Sequence, residues 1–433
     1  MIRVRGGRAP IPAVVVGAAG ACGLGLVRSL RRADIPIILV DDDPSAPAMH
    51  TRFARKVPIS GSSGPSLVTD LLALGTTFAD RPVLFLTGDE ATLTVSEHRA
   101  ELARCYRFRM PSHDDLVSLM HKTGFLQLAE AHGFPVPRSV RIESVADLGR
   151  LAEMPFPAIV KPAMKKAEYL KGQFARAYKV ASLEQADAVC RRILPVVPDL
   201  VVQEWIDGAD SELYFCLQYR GAGGATVCSF TGRKLSIWPP DVGVTASCTA
   251  APDAQPVLER LTEAFFRRVS FVGMGGIEFK RDARTGRFLM IEPTVGRVDA
   301  QEEVATIHGV NIPLAAYLYE VGLAASPVEQ HPVPVIWRDS WLHWRSTRGS
   351  RSRRAAQPST RIYDVYWRLD DPMPALFHVL GGSVRFLQRA VRRYVPYRGR
   401  QRVRAANLGR HDGAERRRDP HVTGEMRHKR EKP

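Results

Sequence analysis

The sequence predicts an α/β lobe followed by a larger mixed α+β lobe, on two observations. The stretch "AVVVGAAGACGLGLVRSLRRADIPIILVDDD" (13–43) passes from a buried β run through a glycine-rich turn and a helix-spaced segment into a second strand ending in acids. That is the pattern of a parallel βαβ unit. Beyond residue 200, β runs follow one another through short turns, as antiparallel strands do.

The elements follow in order. Residues 13–16 read as a strand, 24–32 as a helix and 35–40 as a second strand. "RPVLFLTGDEATLTVSEH" (81–98) repeats the pattern, so the first lobe spans 1–113. A single helix fits Ser112 to Gly133, with Ser112 as its N-cap and Gly133 as its stop. "FPAIVKPA" (156–163) and "LVVQEWIDG" (200–208) are strands separated by a helix over 183–194. "ELYFCLQYR" (212–220), "TVCSFTGRKLSI" (226–237) and the hairpin "GGIEFKRDARTGRFLMIEPTVGR" (275–297) add antiparallel strands, with helices near 254–269 and 311–321. These make a second lobe over 114–325. A C-terminal extension over 326–395 opens with the extended "HPVPVIW", continues through a basic linker at 345–361 and closes with a basic amphipathic helix, "PALFHVLGGSVRFLQRAVRRYV". Residues 396–433 are polar, Arg-rich and expected to be disordered.

Charge is unevenly placed along the chain. The net charge of +16 resides almost wholly after residue 344, where 23 Lys and Arg face 8 Asp and Glu. The first 344 residues are balanced, 38 against 37, so no specific nucleic-acid-binding core is expected. The six cysteines show no CxxC, which suits free thiols in a reducing compartment. The N-terminus imitates a signal peptide, but cleavage at Cys22 would remove the first strand, so a cytoplasmic location is expected.

Several residues could carry chemistry. Gly17, Gly20 and Gly23 form a turn of the kind that receives phosphate, with Asp41 placed to meet a ribose. The spacing is GxxGxxG rather than GxGxxG, and a tight βα turn is the plainer account of it. Lys161 ends an apolar strand run, as a cation aimed into a cleft or as a charge reaching water. The Lys- and Arg-rich segment after it suits a lid or an exposed loop. Glu278 and Glu292 sit inside apolar runs on the two arms of one hairpin, within roughly 7–8 Å of each other. Like charges that close call for a cation between them, and hard oxygen donors favour Mg²⁺ or Mn²⁺. Arg297 follows, placed for a phosphoryl group or a substrate carboxylate.

Taken in order, "HKTGF" with Lys122, "IVKPA" with Lys161, "VVQEWIDG", "GGIEFKRD", "FLMIEPTVGR" and "HGVNIP" resemble the ATP-grasp superfamily. Within it, "GLGLVRSLRRADIPIILVD", "TGDEATLTVSEH", "GFPVPRS" and "GRKLSIWPPDVGV" resemble predicted carboxylate-amine ligases related to D-aspartate ligase and the carbamoyl-phosphate synthase large chain. The resemblance covers residues 13–325 and implies an ATP-grasp fold behind a Rossmann-like lobe. It also implies an ATP- and Mg²⁺-dependent ligase (Mn²⁺ serving in place of Mg²⁺) that joins a carboxylate to an amine through an acyl phosphate. It assigns Lys122 and Lys161 to the nucleotide phosphates, and the segment Gln203, Glu204, Trp205, Ile206 to adenine. Glu212 goes to the ribose, Lys234 to phosphate, Glu278 and Glu292 to the metal, and Arg297 with Lys161 to catalysis. Thr294 stands where the family commonly has Asn, which leaves a silent ATP-binding module as the alternative; an NAD-dependent oxidoreductase using the N-terminal glycine turn is a further one. Expected partners are a small carboxylate and an amine; the basic helix suits docking on the catalytic body or, as the alternative, contact with an anionic membrane, and a homo-oligomer is left open.

Overall fold

The computed structural model describes residues 10–381 apart from 19, 165–173, 324–328, 332 and 349–359. Most of the expected lid, the basic linker apart from its ends, most of the amphipathic helix and the tail lie outside the described residues.

The first sheet contains β1 (Ala13–Val16), β2 (Ile37–Asp41), β3 (Arg55–Pro58) and β4 (Val83–Leu86), all parallel in the order β3-β2-β1-β4. Strand β1 is central and wholly apolar. Its alternate residues feed two different cores, Ala13 and Val15 one and Val14 and Val16 the other. A two-residue period on a strand covered on both faces requires that division.

The second sheet is antiparallel and has its own core. It comprises β5 (Ser139–Ile142), β6 (Ala158–Pro162), β7 (Tyr178–Val180) and β8 (Leu200–Glu204), in the order β5-β8-β6-β7. Helix Leu183–Ile193 covers one face through Ala186, Cys190 and Ile193, and Ser182 caps its start by accepting from the Gln185 N–H.

The largest sheet has seven strands: β9 (Leu213–Arg220), β10 (Thr226–Trp238), β11 (Val244–Ala250), β12 (Gly273–Arg281), β13 (Phe288–Val295), β14 (Val335–Arg338) and β15 (Arg361–Asp364). Their order is β13-β12-β9-β10-β11-β14-β15. On β9, Phe215, Leu217 and Tyr219 face helices Glu302–Ile307 and Ile312–Glu320, whereas Tyr214 and Cys216 face helix Gln255–Arg268. Strands β14 and β15 continue the edge of this sheet, so residues 335–338 and 361–364 share it instead of standing apart.

The helix expected from Ser112 to Gly133 is two helices, His113–Met120 and Lys122–Ala131, broken at His121. His121 adopts an extended backbone, and its ring bonds to Asp199 at 2.7 Å and to the Thr123 hydroxyl at 2.6 Å. Gly124 lets the second helix close on the first, since a Cβ there would stand 2.4 Å from the Ser118 carbonyl oxygen. The break moves Lys122 from mid-helix to a helix start. No helix among the described residues is long and apolar enough to cross a membrane, and all six cysteines are free.

Candidate functional site

Strands β12 and β13 bring the two glutamates together. Glu278 and Glu292 are direct cross-strand partners, and the register slips by one residue immediately afterwards, where Phe279 pairs with Met290. Directly opposed residues of an antiparallel pair project to the same face. Both side chains keep some solvent access, 25% and 31% exposed.

A lysine from a different element meets each carboxylate. Lys234, buried on β10, donates to Glu278 Oε2 at 2.5 Å. Burial pulls the Lys234 ammonium pKa down, but Glu278 outweighs it with help from Asp299 and Glu292, and the net shift is upward. Lys122, at the start of its helix, places Nζ 3.8 Å from Glu292 Oε2. Its backbone N–H is held by the Ala163 carbonyl at 2.9 Å, which ties the helix start to the end of β6.

Lys161 and Gln203 form a second buried cluster on neighbouring strands β6 and β8. Lys161 Nζ donates to Gln203 Oε1 at 2.9 Å, and both side chains are buried. Gln203 Nε2 is buried without a hydrogen-bond partner among the described residues. A buried donor left in that state suits a site that receives an acceptor-rich ligand. Beyond it the Trp205 N–H is spent on the Pro157 carbonyl at 3.0 Å, and Lys179 lies 3.8 Å above the Trp205 ring. Ile206 is buried and Glu204 half-buried.

Arg297, just past β13, reaches the helix that follows β4. Its Nε donates to Asp89, the first residue of helix Asp89–Glu97, and its Nη1 to the Val298 carbonyl at 2.8 Å. Burial opposes its charge, but Asp89 and Asp299 outweigh that and raise its pKa further. Asp89, Lys122, Glu292 and Arg297 line one cleft. The Thr294 hydroxyl donates to Asp299 Oδ2 at 3.3 Å. Among the described residues no three of His, Cys, Asp and Glu converge as metal ligands, so the acidic pair stands without a third carboxylate.

Sequence reasoning passed over Asp89 and Asp299. The signal for Asp89 was its place just past a parallel strand, at a helix start, where α/β sheets put their ligand-facing groups. Glu212 is engaged elsewhere, accepting from Arg233 Nη2 at 3.0 Å with Arg281 at 3.9 Å. Asp41 accepts from the Ala18 N–H of the glycine turn at 2.5 Å through Oδ2 and from the Asp43 N–H of its own following loop at 2.8 Å through Oδ1. It is buried, and burial raises its carboxyl pKa despite those bonds. Gly17, at φ +102°, would put a Cβ 2.1 Å from the Thr87 hydroxyl, so close packing alone accounts for glycine there.

No protein-family model and no curated protein matches the chain. Solved structures do. The biotin carboxylase domain of Hydrogenobacter thermophilus 2-oxoglutarate carboxylase, solved with MgADP, ADP and bicarbonate, is 12% identical with a TM-score of 0.58, covering 74% of this chain and 72% of that one. Staphylococcus aureus N5-carboxyaminoimidazole synthetase, complexed with ADP, gives 12%, 0.59, 76% and 82%. N5-carboxyaminoimidazole ribonucleotide synthetase from Thermus thermophilus gives 16%, 0.56, 73% and 79%. The chain therefore shares its fold with these biotin carboxylase and N5-carboxyaminoimidazole synthetase structures.

Proposed function

We propose that this chain is an ATP- and Mg²⁺-dependent ligase that joins a small-molecule carboxylate to an amine. The observation that carries the reading is the facing pair Glu278 and Glu292, each countered by a lysine from another element. Two half-exposed carboxylates on one face match the donor set Mg²⁺ takes from a protein, phosphate oxygens and water supplying the rest. The neighbours solved with ADP and MgADP support the same ligands.

In this reading Glu278 and Glu292 would hold the metal, with Thr294 beside them, and the ion would neutralise phosphate charge when bound. Lys122 and Lys161 bind the nucleotide phosphates, and Lys234, the further phosphate candidate, holds Glu278 in place through its hydrogen bond. The segment Gln203–Ile206 reads adenine through its main chain. Since the Trp205 N–H is already spent, the donor falls to Ile206. Glu212 remains the ribose candidate, oriented by Arg233. The substrate carboxylate oxygen bonds to the γ-phosphorus as the bond to ADP breaks. The amine then attacks the acyl carbon, phosphate leaves, and the amine loses a proton. Arg297, fixed by Asp89, faces the transferring phosphoryl and stabilises its charge.

One observation favours a second reading, a silent nucleotide binder: Thr294 directs its hydroxyl to Asp299. Turnover separates the two. ADP release that requires both an acid and an amine supports the ligase, whereas nucleotide binding with no turnover across a broad acid and amine panel supports the silent module. The dehydrogenase alternative leaves the paired glutamates and their lysines without a role, and a melting-temperature rise with NAD⁺ or NADH alone would favour it.

A further inference from the structure

We infer that the face formed by residues 338–348 and 360–380 docks on an anionic membrane surface. This stands independently of the ligase reading. Nine of the fifteen exposed large hydrophobic residues among those described fall between 341 and 380. They include all three exposed tryptophans, Trp341, Trp344 and Trp367, together with Leu369, which is 94% exposed.

Three elements build the face. In helix Ser340–Thr347, Trp341 and Trp344 stack on each other at 5.2 Å, with Arg348 above Trp344 at 4.2 Å. The segment after β15 presents Trp367 and Leu369. Residues 373–381 are helical and docked on one side only. Phe377 stacks on His50 with ring centroids 3.2 Å apart and His378 on Tyr366 at 3.7 Å, while Leu376, Val379 and Leu380 remain exposed.

A cleft of about 820 Å³ opens between these elements, where six arginines, among them Arg31, Arg338 and Arg361, outnumber the carboxylates Glu303, Asp364 and Asp370 beside Trp341, Trp367 and Leu369. Arg31 lies 3.7 Å over the Phe53 ring, Arg361 4.8 Å over the Tyr363 ring, and Arg338 donates to the Ser340 hydroxyl. None of these three arginines has a carboxylate partner among the described residues.

Charge and chemistry select the occupant. Guanidinium groups that lack carboxylates repel a second copy of the same basic face and attract anions. Phosphate alone explains neither Leu369 nor Leu376, Val379 and Leu380, which gain only from an apolar phase. Tryptophan beside arginine, fringed by aliphatic side chains, matches the headgroup boundary of a bilayer. The chain continues beyond 381 with 16 Lys and Arg against 5 Asp and Glu, so the composition of residues 382–433 carries the same preference for anions.

The test is vesicle co-sedimentation of the full chain on phosphatidylcholine with and without about one-third phosphatidylglycerol. Association with the anionic vesicles only is expected, and lipids brominated on their acyl chains should quench tryptophan emission. Trp341→Ser/Trp367→Ser/Leu369→Ser and Arg338→Gln/Arg361→Gln should each lower partitioning about tenfold. Both variants should keep the wild-type melting point, which separates lost docking from lost folding. Absence of vesicle association overturns the inference. So does association that neither variant weakens and that Arg385→Gln/Arg389→Gln/Arg392→Gln/Arg393→Gln abolishes, since the sequence beyond 381 then acts alone. A dimer dissolved by the triple substitution, or RNA binding in place of vesicle binding, reassigns the face and overturns it equally.

Discussion

Glu302 opens a short helix beneath the site, and its carboxylate is 3% exposed. It accepts from the Ser29 hydroxyl at 3.2 Å and the Thr306 hydroxyl at 3.0 Å. Burial, reinforced by neighbouring Glu303, pushes its pKa from 4.5 up to about 8 against the pull of those hydroxyls. A raised carboxyl favours the folded state most below the unfolded value, and the advantage is lost as pH rises toward the folded value. Each pH unit of that gap is worth about 1.4 kcal/mol, so the full effect is on the order of 5 kcal/mol. Glu302→Gln keeps the shape without an ionisable proton, and its one carbonyl oxygen can take the place of Oε1, which lies within reach of both hydroxyls. Urea denaturation from about pH 5 to about pH 9 should show the wild type losing stability with pH more steeply than the variant. Above the folded pKa the variant should be the more stable of the two. Equal pH slopes would refute the reasoning, because Glu302 would then ionise as readily folded as unfolded.

Three other predictions rest on the same geometry. Lys234→Met strands the Glu278 carboxylate and should cost about 3 kcal/mol in denaturant unfolding, most of it recovered by adding Glu278→Gln. Gly17→Ala forces a side chain onto the Thr87 hydroxyl in a left-handed backbone, and should lower stability by about 1–3 kcal/mol in the same assay. Arg297→Lys cannot reach both Asp89 and the Val298 carbonyl with one planar group. On the proposed mechanism it should cut acid- and amine-dependent ADP release about a hundredfold while leaving binding of an ATP analogue nearly intact by calorimetry.

What the sequence disclosed depended on how local the information was. Glu278 and Glu292 were legible because charge inside "GGIEF" and "FLMIEP" conflicts with local hydrophobicity. Their direct opposition was not, because a one-residue register slip beside them resets the pairing. The break at His121 was hidden, since the apolar spacing runs through it and Asp199, which holds the ring, lies 78 residues away. Arg297 was readable as a cation near the acidic pair, but its partner Asp89 is 208 residues distant and starts the helix after β4. "HPVPVIW" read as extended; nothing local said that β14 would add to β11 and carry β15 with it. Local conflict can be seen in one sequence, whereas long-range pairing cannot.

The central claim is that Glu278 and Glu292 hold a metal that bridges to a nucleotide. Its most direct test is the melting temperature with a non-hydrolysable ATP analogue and millimolar Mg²⁺, compared with NAD⁺ and NADH. A ligand at about 100 times its Kd adds about 2.7 kcal/mol, which is readily seen as a higher melting temperature. The account predicts a Mg²⁺-dependent rise with the ATP analogue, lost in Glu278→Gln and in Glu292→Gln. A rise with NAD(H) alone, or one with the ATP analogue that survives both substitutions, would contradict it.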